Sequence, residues 1–106
     1  MFARRVSIHL KPNSVAQFTE KEEKECIPVL RQQKGFRDLV AFVSPSGTEA
    51  FVITLWDGPE SAEAYGREIY PRMVKLLANV IDGTPVLESY NVSNSTYHKI
   101  AAAAAA

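Results

Sequence analysis

Two segments of this chain, Phe36 to Ser44 and Glu49 to Trp56, are apolar at nearly every other position on both of their faces, and nothing else in the sequence constrains the fold as much. Successive side chains of a strand point to opposite sides of its sheet. Phe36, Val40 and Phe42 therefore fall on one side and Leu39, Ala41 and Val43 on the other, with Phe51, Ile53 and Leu55 opposed to Val52 and Trp56. A sheet built from such strands needs cover on both faces. Ser44-Pro45-Ser46-Gly47 supplies a turn between the two segments, so they are predicted to form a hairpin at the centre of the sheet.

The remaining elements follow from periodicity and punctuation. Residues 3 to 11 alternate as a first strand, and Pro12-Asn13-Ser14 then offers a turn with Asn13 or Ser14 as the N-cap of a helix. In that helix Val15, Phe18, Cys26, Val29 and Leu30 recur near helical spacing, and the charges from Glu20 to Glu25 read as a solvated face. Pro28 cannot donate to the carbonyl four residues earlier, which predicts a kink or break before the helix ends near Gln33, with Gly35 turning the chain. Asp57-Gly58-Pro59-Glu60-Ser61 opens a second helix, with Pro59 at its first position or Ser61 as cap. Ala62, Tyr65, Ile69, Met73, Leu76 and Val80 keep the spacing of one buried stripe along it, and Pro71 interrupts it. Asp82-Gly83-Thr84-Pro85 is read as its end, before a last strand from Val86 to Val92.

The order is β-α-β-β-α-β, an α+β, ferredoxin-like sandwich with a four-stranded antiparallel sheet. At 106 residues it makes one domain over residues 1–97, followed by a tail over residues 98–106 whose poly-alanine run has the look of a tag remnant. In this layout both helices cover the same sheet face. Several hundred Å² of bare apolar sheet, at roughly 25 cal/mol per Å², must then be hidden by a second sheet, and a two-fold homodimer through the sheet faces is the economical way to do so. With 12 Lys+Arg against 12 Asp+Glu the formal charge is zero, which argues against nucleic acid or an anionic membrane as partner. A lone cysteine, Cys26, excludes an intrachain disulfide and fits a cytoplasmic setting.

The order of motifs resembles the antibiotic biosynthesis monooxygenase family of the dimeric α/β-barrel superfamily. The matching stretches are Leu10-Lys11-Pro12-Asn13 at the end of strand one and Pro28 through Arg37 from helix one into strand two. Ile53-Thr54-Leu55-Trp56-Asp57 leads through Glu60 to Tyr65 into helix two, and Pro85 through Val92 closes the sheet. The resemblance implies a cofactor-independent oxidation of a small aromatic or apolar compound, in which the substrate's own carbanion reduces oxygen and side chains bind, orient and deprotonate. It also implies a pocket role for Trp56, which matches the family's tryptophan at the end of strand three. The haem-degrading branch of the superfamily carries an Asn on strand one and a Trp and a His on helix two. This sequence has none of them, so no haem is expected.

Within the residues themselves, four stand out. His9 on strand one can serve as a general base, since imidazole titrates near neutral pH, or it is a residue of the surface or dimer face. Tyr65, on the buried stripe, offers a phenol both for catalysis and for holding a substrate oxygen. Trp56 and Met73 are candidate substrate contacts or simple packing residues. No metal-binding cluster, glycine-rich phosphate loop or Ser-His-Asp order occurs, so no cofactor and no metal are expected. The alternative to an enzyme is a non-catalytic, small-ligand-binding or stress-related dimeric domain.

Overall fold

The computed structural model describes residues 1–100. Strand β1 (Phe2–Leu10) is followed by helix α1 (Val15–Lys21), a π-helical segment (Glu22–Cys26) and helix α2 (Ile27–Arg31). The hairpin β2 (Phe36–Val43) and β3 (Glu49–Trp56) leads to α3 (Pro59–Glu68), α4 (Tyr70–Leu77) and β4 (Ile81–Asn91). All neighbouring strands are antiparallel and lie in the order β2-β3-β1-β4, an α+β ferredoxin-like sheet. The hairpin is thus not the centre of the sheet as a unit. β3 is central, β2 lies at one edge, and β1 takes the other central place because it pairs with both β3 and β4.

The two prolines act as their chemistry requires. Pro71 stands in the first turn of α4, where a missing N–H costs nothing, whereas Pro28 follows the π-helical segment directly and removes a donor from a continuous helical stretch. The break before Pro28 takes the form of the π-helical turn. Ser14 occupies the N-cap of α1 and Asn13 beside it is left-handed, with φ of 58°; Pro59 opens α3 behind Gly58.

Two departures from simple alternation re-aim side chains. The register slips between Phe36 and Asp38, so Phe36 lies opposite Trp56, on the side of the helices, and meets its ring edge-on at 5.5 Å. Phe36 therefore does not share a face with Val40 and Phe42, as strict period two predicts. The second slip lies between Ser7 and His9, opposite the Asp82–Pro85 stretch. Those four residues do not end a helix. They sit inside β4, which starts at Ile81, and Gly83 at φ 80° lets the strand bulge there while Pro85 is tolerated on an edge strand.

The core fills the space between the helices and one sheet face. Ile8, Leu10, Ala50 and Val52 of the sheet meet Phe18, Cys26, Met73, Leu77 and Val80. A smaller cluster of Leu30, Trp56 and Ala62 continues it towards Phe2 and Phe36. The other sheet face is open. Val40, Phe42, Val86 and Tyr90 are exposed there, Val86 at 57% and Phe42 at 43%, with Phe42 stacked on Phe51 at 4.6 Å.

Among the described residues, no helix is long and apolar enough to cross a membrane. Beyond β4 the chain folds back: the backbone N–H groups of Tyr97 and His98 donate to Ser95 Oγ, and the His98 ring meets the Asp38 carboxylate of β2. The poly-alanine run lies outside the described residues.

Candidate functional site

A cavity of about 60 Å³ lies between the helices and the sheet. At roughly 10–15 Å³ for each water it has room for about four to six; a benzene ring fills a cavity of about 150 Å³, so a ring enters here only as the lining side chains move apart. Val6, Leu30, Met73 and Leu87 give it an apolar wall, and Arg4, Glu22, Thr54, Tyr65 and Tyr70 bring the polar groups.

Glu22 is the unexpected member. The charged run of the first helix was expected on the solvated face, and Glu23, Lys24 and Glu25 are exposed, yet Glu22 is buried at 7% exposure. The reason is geometric. Phe18, Glu22, Cys26 and Leu30 are all buried and recur every four residues, a period longer than the 3.6 of an α-helix. The π-helical turn at Glu22–Cys26 winds more slowly and keeps the whole row facing the core; such turns inside helices gather at functional sites. Burial pushes the Glu22 carboxyl up to about 7.

Tyr65 lines the cavity from α3, its ring 5.2 Å from that of Trp56 and 6.4 Å from that of Tyr70. Burial raises its phenol well above the usual range, and the negative charge available to Cys26 and Glu22 adds to the effect. Tyr65 is therefore a hydrogen-bond donor at neutral pH and not a base. Cys26, pushed up to about 12 chiefly by burial, stays a thiol. The carboxyl of Glu22 is thus placed to exchange a proton near pH 7, beside a phenol placed to donate.

The residues singled out in the sequence fall in three places. Tyr65 and Met73 come together at the cavity. Trp56 lies one layer behind it, fully buried, with its Nε1–H donating at 2.9 Å to the hydroxyl of Thr54, which does line the cavity. His9 is on the opposite, open face of the sheet, its Nδ1 3.5 Å from Glu49 across the β1–β3 ladder. One substrate cannot touch His9 and Tyr65 in the same subunit. Sequence reasoning missed Glu22 and Arg4. The exact four-residue spacing from Phe18 to Leu30 is the signal that could have revealed Glu22; Arg4 carries only its place on strand one, in phase with Val6 and Ile8. Among the described residues, no three His, Cys, Asp or Glu side chains gather as metal ligands.

No protein-family model matches the chain, and no curated protein matches it in sequence. Solved structures do match. A monooxygenase of Streptomyces coelicolor, solved in complex with nanaomycin D, aligns with a TM-score of 0.72 at 17% identity over 89% of this chain and 88% of its own. A protein of unknown function from Nitrosomonas europaea aligns with a TM-score of 0.74 at 16% identity, over 95% and 94% of the two chains. A Bordetella bronchiseptica protein assigned provisionally to the antibiotic biosynthesis monooxygenases aligns with a TM-score of 0.72 at 14% identity, over 88% and 97%. Identities this low establish a shared fold.

Proposed function

We propose that this chain, whose fold is that of the antibiotic biosynthesis monooxygenase structures, binds a small aromatic compound between its sheet and helices and oxidises it with molecular oxygen, without metal or flavin. One observation carries the reading: a buried carboxyl, Glu22, raised to about 7, shares a largely apolar cavity with the Tyr65 phenol. Glu22 as carboxylate takes a proton from a hydroquinone-type substrate, and Tyr65 donates a hydrogen bond to the substrate oxygen. The electron-rich anion reduces dioxygen, and a C–O bond forms at a ring carbon. The O–O bond then breaks: one ring C–H has become C–OH, both phenol groups have become carbonyls, and the second oxygen atom leaves as water. The substrate supplies all four electrons, so no external reductant is needed. Met73 packs against the ring, while Trp56 acts through Thr54 and Tyr65 by fixing the wall.

The working unit in this reading is a homodimer joined through the open sheet faces, supported by exposed Val40, Phe42, Val86 and Tyr90. His9 belongs to that face. A cytoplasmic setting suits the buried free thiol of Cys26.

Oxygen-electrode traces with a panel of hydroquinones and anthrones test the proposal. Protein-dependent uptake of one O₂ for each substrate is expected, with loss of at least tenfold in both Tyr65→Phe and Glu22→Gln. If compounds bind and no uptake depends on protein, the domain is a non-catalytic ligand binder.

A further inference from the structure

We infer that the compound held in this cavity carries an anionic group, an aromatic carboxylate, that pairs with the guanidinium of Arg4. The inference rests on the reading above, that the cavity is a binding site, and names the class of its ligand.

Arg4 points from β1 to the helix side of the sheet and lines the cavity, yet its Nε is buried and has no hydrogen-bond partner. Among the described residues, neither Arg4 nor Glu22 takes part in an ion pair. Folded proteins rarely leave a buried donor unmet, and here that donor belongs to a guanidinium that is itself half-buried.

The surroundings hold the guanidinium in place. A Cβ at Gly66 of α3 would stand 2.8 Å from Arg4 Nη1, so the absence of a side chain there is what lets the group lie against the helix. The Phe2 ring centroid is 5.9 Å from Arg4 Cζ, and Tyr70 is near enough for the positive charge to oppose the effect of burial on its phenol. A planar fork lying against that glycine and the Phe2 ring is suited to a carboxylate. Arg5 makes the contrast. Its Nε also lacks a partner, but it lies on the open face with its Cζ 4.4 Å from the Phe51 ring centroid and Glu88 opposite in register.

Glu22 makes the pairing sensitive to pH. The titratable and charged groups that line the cavity with it are Cys26 on its own helix, Tyr65 from α3, Tyr70 from α4 and Arg4 from β1. Burial keeps the thiol and both phenols protonated through neutral pH. Only Glu22 changes charge there, and as a carboxylate it repels a second one.

Calorimetric titration at pH 6 with 4-hydroxybenzoate and with its neutral isostere 4-hydroxybenzamide tests the inference. The acid is expected to bind at least tenfold tighter, and its lead should shrink at pH 8. Arg4→Met should abolish the preference while sparing amide binding, Arg4→Lys should keep part of it, and Arg67→Met, at an exposed position of α3, should keep all of it. Equal affinity for the two compounds in the unaltered protein overturns the inference, as does an Arg4→Met variant that weakens both alike. Binding of neither compound overturns it too, and intact oxygen uptake on neutral hydroquinones would show that the catalytic reading survives without it.

Discussion

Replacing Glu22 by Gln should make the protein more stable at alkaline pH. The carboxyl titrates at about 7 in the folded chain against 4.5 for the unperturbed group. Between those values the folded state holds a proton that the unfolded state has released, so stability falls as pH rises through that window. Below it both states are protonated and nothing is lost; above it both are ionised and the full cost of a buried carboxylate remains. The difference of about 2.5 pH units, at roughly 1.4 kcal/mol each, amounts to about 3 kcal/mol. Glu22→Gln keeps the shape and removes the titration. Urea unfolding of both proteins at pH 4.5, 6 and 8, at one fixed protomer concentration, isolates the effect, because other titrating groups cancel in the difference. The variant should match the parent near pH 4.5 and exceed it by about 3 kcal/mol at pH 8. A difference that does not change with pH, or a variant that is weaker at pH 8, would refute the reasoning and mean that the carboxylate is held by a favourable partner.

Three further outcomes follow from the same geometry. Phe42→Glu, on the open face, should convert a dimer to monomers at micromolar concentration in sedimentation velocity, with far-UV circular dichroism unchanged. Gly35→Ala and Gly83→Ala both force a side chain into a left-handed position at about 80°, but only at Gly35 would the new Cβ meet a neighbour, 2.7 Å from Ser61 Cβ. Chemical denaturation should therefore show about 1 kcal/mol lost at Gly83 and clearly more at Gly35. Cys26 should resist a disulfide reagent at pH 8 in the native protein and react within minutes in urea, because the thiol is buried and pushed up to about 12.

The strands, the hairpin and the order of elements were legible in the sequence because they rest on local chemistry: alternation in Val6, Ile8 and Leu10, turn residues at Ser44 to Gly47, prolines that break helices. What was not legible came from pairing between distant strands. The slip beside Phe36 turns that ring towards Trp56, and the bulge at Gly83 carries β4 through residues that look like a loop. Neither leaves a local signature, because a bulge is defined by the partner strand. The site was half legible. Tyr65 and Met73 lie on a regular apolar stripe, whereas Glu22 sits within a charged run, on the face of Phe18 four residues earlier, and the wider turn that follows brings Cys26 and Leu30 onto that same face. Arg4, one of two adjacent arginines on β1, is distinguished from Arg5 by its parity alone.

A π-helical turn is what a helix becomes when it holds one amino acid more than its coils can seat. Phe18 and Leu30 are twelve steps apart, which at about 100° a step leaves a regular α-helix some 120° out of phase. Eleven steps would leave only about 20°, so excising a single residue would bring the two anchors back into line with an ordinary helix between them. The scaffold thus has no use for the surplus residue. The extra residue instead widens the turn at Glu22–Cys26, where the carboxyl and the thiol of the cavity sit.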